Sequence, residues 1–396
     1  MTTAPSSAPS SRPAATPRAS TWAAIYLGVA AATLPAVLPV MVGVFADRFG
    51  YGVAGAGTVA ALNMAGILVG SLLCPLITAR FGWAAVVRAS LAVMIAGNLL
   101  TMLDDHYGYV AATRLLSGLG EGVVGGICYA AMGRSARPER SISIYFAGQS
   151  VVGMIGMGSF GWIAASLGWP WLFLILSAIA VPGFWLAAVI GRAQPAAAGP
   201  RAARSPGNPL VIGALGCILL YFIGMASLWP FLERIGVGKG LSPGTVAFAL
   251  SASAFGGLAG SLVAGVVADR LARTTGLLSG LGLLAAAVGG LLFLPGTAAF
   301  VLSVSLFAFA WPFQYAFQFG LLASVDRDGR LIALTPAMTG GGLAVGPAIG
   351  GLLLENLSLG AVTAFCLLCV VAAVSGTIRL RASHFDILTP KYSAGE

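Results

Sequence analysis

The sequence predicts an all-α membrane protein: twelve transmembrane helices in two pseudo-symmetric six-helix bundles. Three observations predict it. The chain of 396 residues is 58% hydrophobic and 8% charged, where soluble domains carry about 25% charged residues, and its mean hydropathy is +0.94. A soluble globule of this composition would show bare hydrocarbon to water. Apolar runs near the ~20 residues that cross a bilayer core recur twelve times. Finally, Gly66-Ile67-Leu68-Val69-Gly70-Ser71-Leu72 returns 190 positions later as Gly256-Gly257-Leu258-Ala259-Gly260-Ser261-Leu262, and at the same offset Arg80 meets Arg270, Gly156 meets Gly346 and Gly161 meets Gly351. Such a repeat marks membrane folds built from two related halves.

In order, the runs cover approximately residues 22–45, 52–78, 84–103, 107–132, 143–166, 170–191, 209–232, 244–268, 275–295, 298–324, 331–354 and 358–379. Charge or Pro/Gly marks their ends, as at Asp47-Arg48, Arg80, Asp104-Asp105, Arg134 to Arg140, Trp169-Pro170, Pro295-Gly296 and Asp326 to Arg330. Pro35 and Pro39, and later Pro230 and Pro312, are expected to kink their helices. Residues 1–21 are rich in Ser, Pro, Ala and Thr without an apolar core, so they read as a disordered tail and not a signal peptide. The longest polar break divides six helices from six. The expected organisation is a tail 1–21, a first half 22–191, a linker 192–208, a second half 209–381 and a tail 382–396.

Orientation follows from Lys/Arg asymmetry. One side collects Arg12, Arg18, Arg80, Arg134, Arg137, Arg140, Arg192, Arg201, Arg204, Arg270, Arg273, Arg327, Arg330, Arg379, Arg381 and Lys391; the other holds little beyond Arg48, Arg234 and Lys239. Both termini and the linker are therefore expected in the cytoplasm, and the protein in the bacterial inner membrane. The net charge of +9 comes from basic residues scattered singly along short loops. They set topology, and no nucleic-acid partner is expected. No phosphate-binding G-x-x-x-x-G-K-[ST] loop is present. The two histidines, His106 and His384, form no metal-ligand cluster, and the five cysteines all lie in apolar runs. No cofactor, no metal and no enzymatic reaction are expected, and the chain is expected to act as a monomer.

Six plus six helices, a basic central loop and an internal repeat resemble the Major Facilitator Superfamily over essentially the whole chain after residue 21. Two motifs sharpen the resemblance. Gly265-Val266-Val267-Ala268-Asp269-Arg270-Leu271-Ala272-Arg273 is similar to the family's loop motif, which occurs between helices 2 and 3 and again between 8 and 9. The first-half copy, Pro75 to Gly82, has Ala79 where the motif has its acid. The exporter-type G-x-x-x-G-P-x-x-G-G, carried in helix 5 in the family, stands here in helix 11, from Gly342 through Gly346-Pro347 to Gly351. The resemblance implies gating roles for Asp269, Arg270, Arg273, Gly346 and Pro347, and a cavity lined by helices 1, 4, 7 and 10.

Arg114 and Glu121 stand in the otherwise apolar run Tyr107 to Met132. A charge at bilayer depth costs roughly 2.5–3.5 kcal/mol on the mildest scale, so such residues face a cavity or a partner. Their i, i+7 spacing puts both on one helix face, about 10.5 Å apart along the axis. Arg114 through Gly122 also resembles the family's helix-4 motif, associated with proton coupling in its exporters. Desolvation disfavours a carboxylate anion, which suits Glu121 to load and release a proton. Arg114 is the candidate for an anionic or zwitterionic group on a substrate. Trp311, Gln314, Tyr315 and Gln318 share one helix face and offer rings and amides to an amphipathic ligand. Asn63, Asn98 and Gln149 read as interhelical hydrogen-bonding groups.

The reading is secondary active transport of a small amphipathic organic solute, coupled to protons through Glu121, with efflux ahead of uptake. The alternatives are proton-coupled uptake of an aromatic organic acid and, from another class, a non-transporting membrane sensor or scaffold. The expected partners are the solute, protons and the lipid bilayer.

Overall fold

The computed structural model describes residues 16–47, 49–194, 209–326 and 332–388. Most of the expected terminal tails and linker, with Arg12, Arg48, Arg201, Arg204, Arg327, Arg330 and Lys391, lies outside the described residues. The first crossing is broken into α1 (Arg18–Ala31), α2 (Thr33–Ala36) and α3 (Leu38–Asp47). The breaks fall at Ala32 and Val37, on either side of Pro35, whose ring and missing N–H disrupt the helical ladder. The following crossings are α4 (Gly52–Thr78), α5 (Trp83–Thr101), α6 (Tyr107–Gly133) and α7 (Pro138–Ser166), then α8 (Pro170–Ala180) continued by α9 (Gly183–Gly191). The second half repeats the order with α10 (Pro209–Leu228), a 3-10 turn at Trp229–Phe231 and α11 (Leu232–Gly238), then α12 (Pro243–Val267), α13 (Arg273–Phe293), α14 (Thr297–Val325), α15 (Thr335–Asn356) and α16 (Leu359–Leu388).

Among the described residues nine segments are long and apolar enough to cross a membrane on length and composition. The broken α1–α3, α7 and α15 complete the twelve. The first helix starts at Arg18, inside the segment expected to be a disordered tail. It is tied down there: Ser20 Oγ donates to Val189 O at 2.7 Å and the Thr16 N–H donates to Arg134 O at 2.9 Å. Helix α7 begins at Pro138, earlier than expected, because Pro at the first position loses no needed N–H and Glu139 favours the helix start.

The sequence repeat is a repeat of contacts. A Cβ on Gly66 or Gly70 would lie 2.4 or 2.2 Å from the carbonyl oxygens of Leu115 and Leu119 on α6; one on Gly256 or Gly260 would lie 2.3 or 2.1 Å from those of Ser305 and Phe309 on α14. Glycine thus lets α4 lie on α6, and α12 on α14, at backbone distance. Gly156 packs on Val37 and Gly346 on Ser227, again at the same offset. Gly346 and its neighbours therefore seat α15 on α10 within the second half.

At the turn before α4, Tyr51 donates a hydrogen bond to the carbonyl of Asp105. Burial, then the charges of Asp105 and Asp104, push its phenol up to about 12, so this tie persists across ordinary pH.

Candidate functional site

Between the halves lies a cavity of about 120 Å³ whose walls come from α1, α2, α4, α6, α7, α10 and α15. Helix α6 presents Glu121, Gly125 and Tyr129, one below the next at a spacing of four residues. Helix α7 presents Tyr145, Phe146 and Gln149, α10 presents Phe222, and α15 presents Pro336 and Thr339. The floor is aromatic: Tyr129 meets Phe319 across the halves at 5.6 Å, and Phe146 meets Tyr315 at 5.2 Å. Gln149 donates to the Tyr145 hydroxyl, which fixes the polar wall.

Glu121 is 4% exposed and lines this cavity. Its Oε2 accepts from Asn63 Nδ2 and its Oε1 from Ser117 Oγ, both at 2.9 Å. Asn63 Oδ1 is buried and has no hydrogen-bond partner. Ser117 has one hydrogen and three acceptors in reach: Glu121 Oε1, Asn98 Oδ1 at 3.3 Å and Met94 O at 3.4 Å.

Arg114 is fully buried and does not line the cavity. Its guanidinium turns into the first half, donating to Asn98 Oδ1 at 2.9 Å and to Gly97 O and Thr101 Oγ1 at 2.7 Å, and lies 4.8 Å from the centre of the Phe173 ring. Two turns from Glu121 it makes no direct pair; between them the one hydrogen of Ser117 goes either to Glu121 Oε1 or to Asn98 Oδ1, the acceptor that Arg114 also uses. The sequence expectation of a substrate contact at Arg114 thus meets a guanidinium held by α5 and α8.

The expected helix-10 face does not line the cavity either. Tyr315 is fully buried behind Phe146 and Phe222. Trp311 stacks edge-on to Phe222 at 5.9 Å, one layer back from the cavity. Gln314 packs on Gly280 of α13, and neither Gln314 nor Gln318 has a hydrogen-bond partner for its amide. An unpaired buried amide costs about 1–3 kcal/mol. Gln314→Leu should therefore leave solute transport intact and raise the midpoint of thermal unfolding; loss of transport with unchanged stability would return Gln314 to the ligand. Conversely, Tyr129, Tyr145 and Thr339 line the cavity and were not singled out in the sequence. The stripe Glu121–Gly125–Tyr129 is the signal that was available for one of them.

The family model for the Major Facilitator Superfamily matches residues 21–215 and again 214–391, one match to each half. The chain belongs to that superfamily. It is a multi-pass membrane protein of a transporter family, not an enzyme. Two solved structures of similar fold are an alanine-substituted form of the E. coli fucose:proton symporter FucP (15% identity, TM-score 0.72, covering 91% of this chain and 98% of that one) and FucP in an outward conformation (14% identity, TM-score 0.73, covering 92% and 99%). At these identities the likeness is one of fold. A comparison with curated proteins returns no match.

The superfamily loop motif sits where the halves meet at the basic end. Asp269 Oδ2 lies 3.1 Å from Arg137 Nη1 at the start of α7. A second cross-half pair joins Arg273 Nε to Glu139 Oε1 at 2.6 Å. Gly320 of α14 makes room for Glu139, because a Cβ there would fall 2.1 Å from Oε1. Arg270 is exposed. The two pairs differ in worth. Arg137 and Asp269 are 57% and 43% exposed, and such pairs contribute about 0–1 kcal/mol; Arg273 and Glu139 are 34% and 11% exposed. Glu139→Gln and Gly320→Ala should open the basic end more than Asp269→Asn. Spin-label distances between α7 and α13 would check this, and a larger opening in Asp269→Asn would put the latch on the exposed pair.

Proposed function

We propose that the protein is a proton-coupled secondary transporter of a small neutral or cationic amphipathic solute, with Glu121 carrying the proton. The observation that supports this is the position of Glu121, a carboxyl in the wall of a cavity deep among twelve membrane helices, hydrogen-bonded to two neutral groups. Protonation removes the cost of holding a charge there. Both protonation states have partners within reach. As an anion Glu121 accepts from Asn63 and Ser117. Once protonated, it can donate to Asn63 Oδ1 after a turn of that amide, while the Ser117 hydrogen passes to Asn98 or Met94.

The lining favours the solute class. Glu121 is the one carboxylate among the lining residues, and no Lys or Arg is among them. An organic acid would meet an anion and no cation in low dielectric. Tyr129, Tyr145, Gln149 and Thr339 offer hydrogen bonds beside the rings of Phe146 and Phe222, a setting for a solute bearing hydroxyl or amine groups. The exporter-type G-x-x-x-G-P-x-x-G-G stretch stands in helix 11 and seats α15 on α10 inside the second half, and the fold is similar to that of a proton symporter. The proposal accordingly puts proton symport into the cell ahead of efflux.

The positive-inside bias supports a cytoplasmic basic end in a bacterial inner membrane. The cross-half contacts at that end then describe an outward-facing form. A cysteine introduced at position 239 should react with an impermeant maleimide in intact cells, and one at 201 should be protected; reaction of both from outside would overturn this orientation. Transport itself is tested by flux in proteoliposomes under an imposed pH gradient, screened over polyols, amines and organic acids. The sign of the gradient that drives accumulation reads the direction.

A further inference from the structure

Taking the cavity as the transport site, we propose that Phe222 on α10 sets the upper size limit of the solute, by filling in the second half the space that the first half leaves open. The internal repeat carries the inference. Three small residues of the first half line the cavity: Gly28, Ala32 and Gly125. At the 190-residue offset they correspond to Ile218, Phe222 and Tyr315, each a large side chain and each buried. The counterpart of the open space is therefore occupied by protein, and the cavity lies to one side of the axis that relates the halves. Of the three large counterparts Phe222 alone lines the cavity. Its ring is the surface that a solute meets where the first half's open space ends. Elsewhere the halves contribute evenly: Gln149 corresponds to Thr339 and Phe146 to Pro336, and all four line the cavity.

The ring is a fixed wall and not a flap. Trp311 and Tyr315 stand edge-on to it at 5.9 and 5.1 Å, the arrangement in which the positive edge of one ring meets the negative face of another. The Tyr221 hydroxyl donates to Trp311 O at 2.9 Å, which ties α10 to α14 beside the ring. On the α15 side a Cβ on Gly342 would lie 2.5 Å from Phe222 Cβ, so the glycine lets α15 close on the base of the side chain. With α15 against its base and two rings packed edge-on, Phe222 has no room to swing aside for a wider solute, because a close-packed interior resists such displacement. A phenyl ring is also large beside a cavity of about 120 Å³. Its removal should change which solutes fit, by opening the space in front of Trp311 and Tyr315.

The test uses the full-length protein carrying Thr339→Cys, a cavity position one turn before Gly342 on α15. Its labelling rates with methyl and benzyl methanethiosulfonate, two neutral thiol reagents, are corrected for protein without the added cysteine. Phe222→Ala, which installs the first half's residue, should raise the benzyl-to-methyl rate ratio by about tenfold or more, since a single methylene in a hydrophobic pocket already accounts for about 10–200-fold. Phe222→Leu should raise it less, and serves if the alanine variant does not fold. Phe222→Trp should lower it below wild type. In the proton-flux assay, phenyl-substituted members of the polyol and amine panel should be carried by Phe222→Ala and not by wild type. Equal ratios in wild type and in the folded alanine or leucine variant would overturn the size limit, whatever the flux assay shows. A raised ratio in protein that carries no solute would uphold the size limit and overturn the transport reading instead.

Discussion

Glu121→Gln is expected to bring solute accumulation driven by a pH gradient down to the level of protein-free liposomes, while exchange of solute for solute continues. Glutamine keeps the shape of the protonated acid and its contacts with Asn63 and Ser117, so the cavity wall is preserved. What it removes is the ability to change charge. With no charged state, the carrier cycles whether or not a proton is on board, and the gradient has nothing to act on. Isotope exchange at equal pH should persist within a few-fold of wild type, an order-of-magnitude expectation for a substitution that conserves volume and hydrogen bonding. Loss of both driven flux and exchange would assign Glu121 to solute binding or to folding instead.

Arg114→Ala is expected to act on stability. The change takes one charged donor each from Gly97 O, Asn98 Oδ1 and Thr101 Oγ1 and the cation from the Phe173 ring, and a hydrogen bond to a charged group is worth about 1.5–3 kcal/mol. Thermal unfolding in detergent should show the loss directly. Arg114→Lys should recover part of it, because a single ammonium cannot bridge three acceptors as the guanidinium fork does. Because Asn98 Oδ1, which Arg114 uses, and Glu121 Oε1 compete for the one hydrogen of Ser117, the double replacement Arg114→Ala with Glu121→Gln should cost less than the two single changes added. Strict additivity would mean that Ser117 does not couple the two residues. Solute affinity falling in Arg114→Ala at unchanged stability would restore the substrate contact expected from sequence.

Much of the architecture was legible because it depends on local chemistry. Apolar run length gives the crossings, and the repeated glycines at 66, 70, 256 and 260 mark the places where helices touch backbone to backbone. The loop motif pointed to Asp269, which pairs with Arg137 at the start of α7. Glu139 was missed, although it is the single acid in the arginine-rich stretch from Arg134 to Arg140. The site was harder, for a geometric reason. Helical spacing says which residues share a face, not what that face meets at each depth. Arg114 and Glu121 do share a face of α6; near the start of the helix that side is covered by α5 and α8, and two turns further on it opens on the cavity. Trp311, Gln314, Tyr315 and Gln318 likewise share a stripe, but Phe222 and Phe146 stand between Tyr315 and the cavity and Gln314 packs on Gly280 of α13. Tyr129, Tyr145 and Thr339 come together from three helices, and no short-range pattern links them.

The central claim is that a proton on Glu121 moves with the solute. It is tested most directly by recording proton movement with a trapped pH dye when solutes are added to proteoliposomes of the wild type and of Glu121→Gln, with no gradient imposed. The account predicts that a solute transported by the wild type carries protons with it, and that the same solute enters Glu121→Gln vesicles with no proton signal. An equal proton signal in both proteins would contradict it.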